Sequence, residues 1–164
     1  MVVVRHWRFT PLIDKYLRLA TPDDVPTLVA FARKFHEASP YKGLKFAAPK
    51  VYEAFDSVTR GSLKEGVVIL ALDDDKPIGF IAGVVTETLF SGDRIATELA
   101  WWIEEDHRST RASLLVYNAY DDWAKRVQCV AVQGAYLPGV GTDLKEFYEK
   151  RNYRQVETSY MKVL

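Results

Sequence analysis

The chain has 164 residues, in which 22 Lys and Arg residues balance 22 Asp and Glu residues. This length suits one domain with its own hydrophobic core, and the zero net charge gives no general attraction for nucleic acid or an anionic membrane. The single cysteine, Cys129, excludes an internal disulfide and a thiolate metal cluster. Because the apolar runs are also too short for a membrane helix, we expect a cytoplasmic protein without a metal.

The N-terminal half predicts a strand followed by two helices. Residues 1–15 open with a β-branched run and then lose periodicity, which predicts an arm or strand before a single domain over residues 16–164. Thr21 followed by proline and two aspartates is typical of a helix start. The elements expected here are a strand over 16–20, a helix over 22–38 and a helix over 49–60.

The C-terminal half alternates strands with helices. The expected elements are strands over 66–72, 77–90 and 95–103, a helix ending near 126, a strand over 129–137, a helix over 144–152 and a last strand over 153–164. The hairpin between the strands over 66–72 and 77–90 excludes a purely parallel sheet, and the mixture of elements excludes an all-β fold. We predict an α/β (α+β) fold with a mixed, mostly antiparallel, twisted sheet of six to seven strands flanked by about four helices.

Four segments in this order resemble the GCN5-related N-acetyltransferase superfamily: LRLATPDDVPTL, PIGFIAG, WWIEEDHRSTRAS and FYEKRNY. The resemblance extends from Tyr16 onward and implies a three-layer fold whose sheet is splayed between its fourth and fifth strands. It also implies direct transfer of an acetyl group from acetyl-CoA to a primary amine of a small molecule, or to a lysine or N-terminus of a protein. The loop, with Arg and Ser in place of glycines, is similar to that of small acetyltransferases encoded by phages. A phage-encoded protein of this kind would be expected in the cytoplasm of the host cell.

The segment DHRSTRAS aligns with the superfamily's pyrophosphate loop, Q/R-x-x-G-x-G/A. The cofactor-binding residues that the resemblance implies here are Arg108, Ser109, Thr110, Arg111, Ala112 and Ser113. Arg108 agrees with the motif, whereas Arg111 replaces its first glycine. Backbone N–H groups at a helix start attract an anion even without glycine, and arginines and hydroxyls add donors. The alternative is that Ser109 or Thr110 only caps the helix while both arginines are solvated.

The strand before this loop carries the second cofactor element. By the resemblance, the main chain of Trp101, Trp102 and Ile103 pairs with the pantetheine arm of acetyl-CoA as if that arm were a further strand. The alternative is that the tryptophans are core residues, since successive side chains of a strand face opposite layers. The two interpretations are compatible because the proposed contacts use the backbone.

Tyr148, in FYEKRNY, is the candidate general acid. It matches the tyrosine that, in the superfamily, approaches the sulfur of CoA and protonates the departing thiolate. The alternative is a packing role on an amphipathic helix beside Leu144 and Phe147. Asn152 stands where the superfamily usually has glycine, and asparagine is the next best residue for the left-handed conformation that ends such a helix.

Glu98 is the candidate general base that takes a proton from the acceptor ammonium group. Counting back from Arg108 places Thr97 at one base position of the superfamily, so Glu98 faces the site only if a bulge shifts the register of the strand. Glu104, Glu105 and His107 are weaker candidates. The acceptor site is expected at the first two helices, the loop between them and the segment YLPGVGTD. Aromatic residues there, such as Tyr41 and Tyr136, line a peptide or small-amine cleft or, as the equal alternative, anchor the loops.

The main alternative function is a non-catalytic member of the same fold, which binds acyl-CoA or a protein partner as a phage effector or virion component. The glycine-free loop favours it, whereas Tyr148 and Arg108 favour the enzyme. An acyl-enzyme on Cys129 has little support, because no histidine partner matches a motif. A homodimer is compatible with either function.

Overall fold

The computed structural model describes residues 15–137, 140 and 144–164. The predicted N-terminal arm therefore lies almost wholly outside the described residues. The strands and helices are β1 (Leu17–Leu19), α1 (Val25–Ala38), α2 (Ala48–Arg60), β2 (Gly66–Asp73), β3 (Lys76–Glu87), β4 (Arg94–Ile103), α3 (Arg111–Arg126), β5 (Ala131–Gln133) and α4 (Lys145–Glu149). Short 3-10 turns at Pro22–Asp24, Pro40–Gly43 and Glu105–His107 connect some of them. Within this part of the chain, every helix is too short or too polar to cross a lipid bilayer.

The sheet is mixed and mostly antiparallel, as predicted. Its strand order is β1-β2-β3-β4-β5, with antiparallel pairs throughout except for the parallel pair of β4 and β5. Five strands form it in the described part of the chain, instead of the six to seven predicted. The four predicted α-helices are present.

The prediction of a last strand over residues 153–164 is wrong in this structure. Tyr153 is the last residue that packs on the domain, and every side chain from Arg154 to Leu164 is exposed. The segment has the alternation of a strand, but alternation produces a ladder only where a neighbouring strand offers its free edge. The strand predicted over 129–137 is also shorter, because only Ala131–Gln133 pair with β4.

Two hydrophobic clusters lie on opposite faces of the sheet. Alternate residues of β2 divide between them, with Ile69 in the cluster under α3 and Leu70 in the cluster under α1 and α2. Trp123 is the largest fully buried side chain of the α3 layer, and Phe80 is the largest of the other layer. This alternation is the physical reason for the three-layer arrangement.

The sheet is split between β4 and β5. Only Ile95, Ala96 and Thr97 of β4 pair with β5, whereas β4 remains paired with β3 as far as Ile103. The edge of β4 from Glu98 onward therefore has no β5 partner. This is the splay between the fourth and fifth strands that the resemblance implied.

Candidate active site at the split between β4 and β5

A cavity of about 220 Å³ lies where the two strands separate. Glu98 and Leu99 line it at one end, Trp101 lies along β4, and Arg108 and Ser113 line it beside the start of α3. The cavity thus connects the candidate base with the candidate pyrophosphate loop.

A β-bulge determines which way Glu98 faces. Gly83 pairs with Glu98 and Ala82 pairs with Ala100, so Leu99 is the extra residue on β4. The bulge places Glu98 and Trp101 on the same face of the sheet although they are three positions apart in sequence. The register condition that the sequence set for Glu98 is therefore met.

Glu98 lies between two tyrosine hydroxyls. Tyr117 of α3 and Tyr148 of α4 each donate to Oε2 of Glu98, both at 3.4 Å. Tyr148 has a second acceptor, the carbonyl oxygen of Ala135, at 3.1 Å. Since a hydroxyl carries one proton, Tyr148 can donate to only one of these acceptors at a time. The three side chains form one hydrogen-bonded cluster at the wall of the cavity.

The electrostatics of this cluster favour neutral groups. Burial raises the pKa of Glu98 to about 7, and this effect outweighs the hydrogen bonds from the backbone of Ala135 and from the two tyrosines, which lower it. Burial also raises the pKa of Tyr148 and Tyr117, and the carboxylate of Glu98 raises both further. Glu98 can therefore gain and lose a proton near neutral pH, while both phenols stay protonated.

Gly134 allows the two tyrosines to approach the segment after β5. A Cβ atom at this position would lie 2.3 Å from Oη of Tyr117 and 2.7 Å from Cε1 of Tyr148. Such distances are far below van der Waals contact, so no larger residue fits without movement of the cluster. Gly134 is thus part of the construction of the site.

The start of α3 has an open first turn. Thr110 is the N-cap residue but makes no side-chain cap bond, and its Oγ1 instead donates to the carbonyl of His107 at 2.7 Å. The hydroxyl of Ser113 lies 2.7 Å from the carbonyl oxygen of Arg108 and 2.6 Å from that of Thr110, and donates its one proton to either. The hydroxyls of Thr110 and Ser113 therefore hold the loop together, and the first-turn N–H groups are left for another acceptor.

The two arginines of the loop have different surroundings. The Arg108 guanidinium stacks over the ring of Trp102 at 4.9 Å, and its Nε donates to the carbonyl of Ile103 at 3.1 Å. Arg111 is exposed, and its guanidinium lies over the ring of Tyr16, 5.5 Å from the centroid. Arg108 is therefore fixed beside the cavity, whereas Arg111 contacts the residue that precedes β1.

The remaining predicted cofactor residues are placed as follows. Ser109 is exposed, and Ala112 is buried in the first turn of α3. Trp101 packs with Tyr117 in the α3 layer, at 4.7 Å between ring centroids, while Trp102 packs in the opposite layer. The side chains of the two tryptophans are thus core residues, and the free edge of β4 is a property of the backbone.

Several solved structures with a similar fold are named as acetyltransferases. A possible acetyltransferase from Clostridium difficile 630 is 14% identical, with a TM-score of 0.68 over 90% of this chain and 96% of that chain. A ribosomal-protein-alanine N-acetyltransferase from Brucella melitensis biovar Abortus 2308 is 13% identical, with a TM-score of 0.65 over 90% and 97%. The enzyme AAC(6')-Iy, bound to a bisubstrate analog CoA-S-monomethyl-acetylneamine, is 10% identical, with a TM-score of 0.70 over 90% and 96%.

The chain has the GCN5-related N-acetyltransferase fold. No protein-family profile and no curated protein sequence matches it. At these identities the likeness concerns the fold, and the chemistry has to be argued from the residues of this chain.

Several weaker candidates lie away from the cluster on this acetyltransferase fold. His107 binds Asp106 at 2.8 Å and Asp73 at 3.4 Å, and the hydrogen bond to Asp106 is the main cause of its raised pKa. Glu104 accepts a hydrogen bond from Lys34. Oγ1 of Thr97 lies 2.8 Å from Oγ1 of Thr86, outside the cavity lining.

The sequence interpretation did not single out two members of the site. Tyr117 falls within the predicted helix that ends near 126, and Gly134 falls within the predicted strand over 129–137. A glycine inside a predicted strand is the available signal for Gly134, because such a glycine often marks a close approach of other groups. No signal within α3 distinguished Tyr117, because its role depends on α4 packing against it from a distant part of the chain.

Proposed function

We propose that the protein is an acetyl-CoA-dependent N-acetyltransferase that transfers the acetyl group directly to a primary amine of a small molecule or a protein. The observation that carries the proposal is the Glu98, Tyr117 and Tyr148 cluster in the wall of a cavity that also reaches the start of α3. A base and an acid beside a donor-binding cleft are what amine acylation requires.

The residues present suit acetyl-CoA. The uncapped first turn of α3 offers N–H groups and the positive end of the helix dipole to a pyrophosphate, and Arg108 adds a fixed positive charge at the cavity. The guanidinium of Arg111 lies over the ring of Tyr16, and Arg111 is not among the residues that line the cavity. The edge of β4 after Thr97 provides backbone groups for the amides of a pantetheine arm. When bound, acetyl-CoA supplies the activated acetyl thioester.

Glu98 acts as the general base in this proposal. A primary ammonium group with a pKa of about 10 has no lone pair for attack and must first lose a proton. With its pKa raised to about 7, Glu98 is ionised at slightly alkaline pH and is a stronger base than an ordinary glutamate. Glu98 lines the cavity, so that its carboxylate is accessible to an amine or to a bridging water.

Tyr148 acts as the general acid. Burial raises the pKa of Tyr148, so the phenol stays protonated and carries the proton that the departing thiolate takes up. Because Tyr148 also contacts Glu98, the proton that Glu98 takes from the amine can return to Tyr148 within the cluster. Tyr117 holds the carboxylate in place from the other side and is a positioning residue.

Transfer proceeds without an acyl-enzyme. Cys129 is half-buried and is not among the residues that line the cavity, and burial raises the pKa of its thiol. A thiol in this state is a poor nucleophile.

The second candidate function is a non-catalytic module that binds acyl-CoA or a protein partner, as a phage effector or virion component. Two observations favour it: an arginine stands where the loop motif has its first glycine, and the Ser113 hydroxyl is already satisfied by loop carbonyls. A homodimer in the cytoplasm is proposed for either function, and light scattering coupled to gel filtration measures its mass.

The first experiment measures whether the protein binds acetyl-CoA or CoA. Acetyl-CoA and CoA at up to millimolar concentration should raise the thermal transition of the protein, because a ligand that prefers the native state stabilises it. The absence of a shift with either ligand would refute both functions that involve CoA.

The second experiment tests turnover. Thiol release with a panel of amines should be lower for Tyr148→Phe by about 10²-fold, a typical contribution of a general acid. Tyr153→Phe is the matched control, because the Tyr153 hydroxyl bonds to Asp121 at 2.5 Å and not to Glu98. Equal rates for the wild type and Tyr148→Phe would remove Tyr148 from the chemistry. Binding without thiol release from any amine would favour the non-catalytic module.

A further inference from the structure

The end of the cavity beside Glu98 carries apolar side chains that the fold does not bury. Tyr41 is 43% exposed and Leu99 is 53% exposed, and both line the cavity together with Phe35 and Leu137. Exposed large apolar residues that converge on one concave surface are typical of a ligand site.

The exposure of Leu99 results from the bulge. As the extra residue of β4, Leu99 belongs to neither hydrophobic cluster of the sheet. The same distortion that directs Glu98 toward the tyrosines therefore places an isobutyl group beside it in the cavity. Leu99 is therefore not an isolated exposed residue but shares one concave lining with Tyr41.

Tyr41 is presented by an ordered turn. It lies in the 3-10 turn Pro40–Gly43, and its backbone N–H donates to the side chain of Ser39 at 3.2 Å. Ser39 is 1% exposed, so the start of this turn is fixed to the body of the domain. An aromatic side chain carried on a fixed backbone in the lining of a cavity offers a large contact area to a ligand.

The described lining of the cavity contains one carboxylate. Among the described residues that line the cavity, Glu98 is the only acidic one. Glu37, Glu104, Glu105 and Asp106 line a separate groove that shares Trp102 with the cavity, and Lys34 already binds Glu104 there. One carboxylate suits one ammonium group, whereas several ammonium groups on one molecule would need several partners.

We infer that the acceptor is a monoamine whose amino group is carried on an aromatic or branched apolar group. The inference rests on the proposed function, since it takes Glu98 as the base that faces the amine. The ammonium group contacts Glu98 while the apolar group packs among Phe35, Tyr41 and Leu99.

Binding is measured first, so that turnover is not needed. Titrations by calorimetry in the presence of CoA use 2-phenylethylamine and isoamylamine as apolar monoamines, ethanolamine as a polar monoamine, and spermidine and neamine as polyamines. The apolar monoamines should bind at least 10-fold more tightly than ethanolamine and the polyamines, the scale on which a few apolar groups discriminate. Tighter binding of ethanolamine, spermidine or neamine would overturn the inference.

Variants locate the effect. Tyr41→Ala and Leu99→Ser should each reduce kcat/KM for 2-phenylethylamine about 10-fold and leave that for ethanolamine within 2-fold. Tyr52→Ala is the matched control, because Tyr52 is 44% exposed on α2 and does not line the cavity. Equal losses for both amines would also contradict the inference.

A failure of the proposed function can be distinguished from a failure of the acceptor inference. If acetyl-CoA binds and no amine releases thiol, the enzyme proposal is refuted, whereas the amine titrations still show whether the apolar end selects apolar monoamines. If amines turn over and the polyamines are preferred, only the acceptor inference is refuted.

Discussion

Replacing Glu98 with glutamine should stabilise the protein at alkaline pH while it removes activity. Burial raises the pKa of Glu98 from 4.5 to about 7 in the folded protein, so the folded state binds its proton more tightly than the unfolded state does. The wild type therefore loses stability as the pH rises from below 4.5 through about 7. Glutamine is neutral throughout and keeps an oxygen that accepts from Tyr117 and Tyr148.

The magnitude follows from the pKa difference. At about 1.4 kcal/mol per pH unit, Glu98→Gln should gain up to about 3 kcal/mol relative to the wild type at pH 8, about 2 kcal/mol at pH 6 and almost nothing at pH 4. For a chain of this length, the gain at pH 8 raises Tm by roughly 6 to 12 °C.

Urea unfolding of both proteins at these three pH values measures the difference. Glu87→Gln is the control for the loss of one negative charge, because Glu87 is exposed at the end of β3. The same proteins test the chemistry: the rate of the wild type should rise with pH through a midpoint near 7 as Glu98 ionises, and Glu98→Gln should lack this rise. A stability difference that does not change with pH, or a loss of stability in Glu98→Gln at pH 8, would refute the assignment of a buried, readily protonated carboxyl group.

Three further predictions concern other parts of the site and fold. Gly134→Ala should lower both stability and activity, because the added Cβ would lie 2.3 Å from Oη of Tyr117. The double variant Gly134→Ala, Tyr117→Phe should recover part of the lost stability in urea unfolding. Gly43→Ala is its control, since no atom lies within 4 Å of the added Cβ, and equal effects of the two alanines would contradict the steric explanation. Arg108→Ala should raise the Kd for CoA about 10-fold in calorimetry, and Arg111→Ala should raise it less. The reason is that Arg108 lines the cavity whereas Arg111 lies over Tyr16. A larger effect of Arg111→Ala would show that the pyrophosphate binds elsewhere. Deletion of residues 157–164 should leave Tm unchanged in thermal scans of the monomer, because all these side chains are exposed, and a loss of several degrees would show that they pack on a surface.

Local sequence signals predicted the elements well where each signal was complete within one segment. Thr21 and Asp24 form a capping box at the turn that leads into α1, as their spacing indicated. Asn152 has a φ of 60°, the left-handed conformation for which asparagine was expected to replace glycine. These features depend on residues within a few positions of one another, so one sequence contains the information.

Features that depend on distant partners were less predictable. The alternation of apolar and polar residues over 153–164 predicted a strand. A strand forms only beside another strand with a free edge, and the periodicity of the segment does not show whether such a strand lies next to it. Tyr117 belongs to the site only because α4 packs beside α3. The ring centroids of Tyr117 and Tyr148 are 5.8 Å apart. The β-bulge was expected only as a condition for Glu98, since a bulge has no reliable signature in a single strand.

One irregularity in β4 accounts for several properties of the candidate site. Without the bulge, strict alternation through Leu99 would place Glu98 and Trp101, three positions apart, on opposite faces of the sheet. With it, Glu98 meets the hydroxyls of Tyr117 and Tyr148, and Leu99 itself lines the cavity. Glu98 and the apolar end of the cavity therefore have a common structural origin. Deletion of Leu99 would leave Glu98 and Trp101 two positions apart, so regular pairing of β3 and β4 should keep Glu98 on the face of Tyr117 and Tyr148 while it removes the apolar side chain from the cavity. Thiol release should then persist with a weaker preference for apolar amines, and a loss of release with every amine would contradict this account.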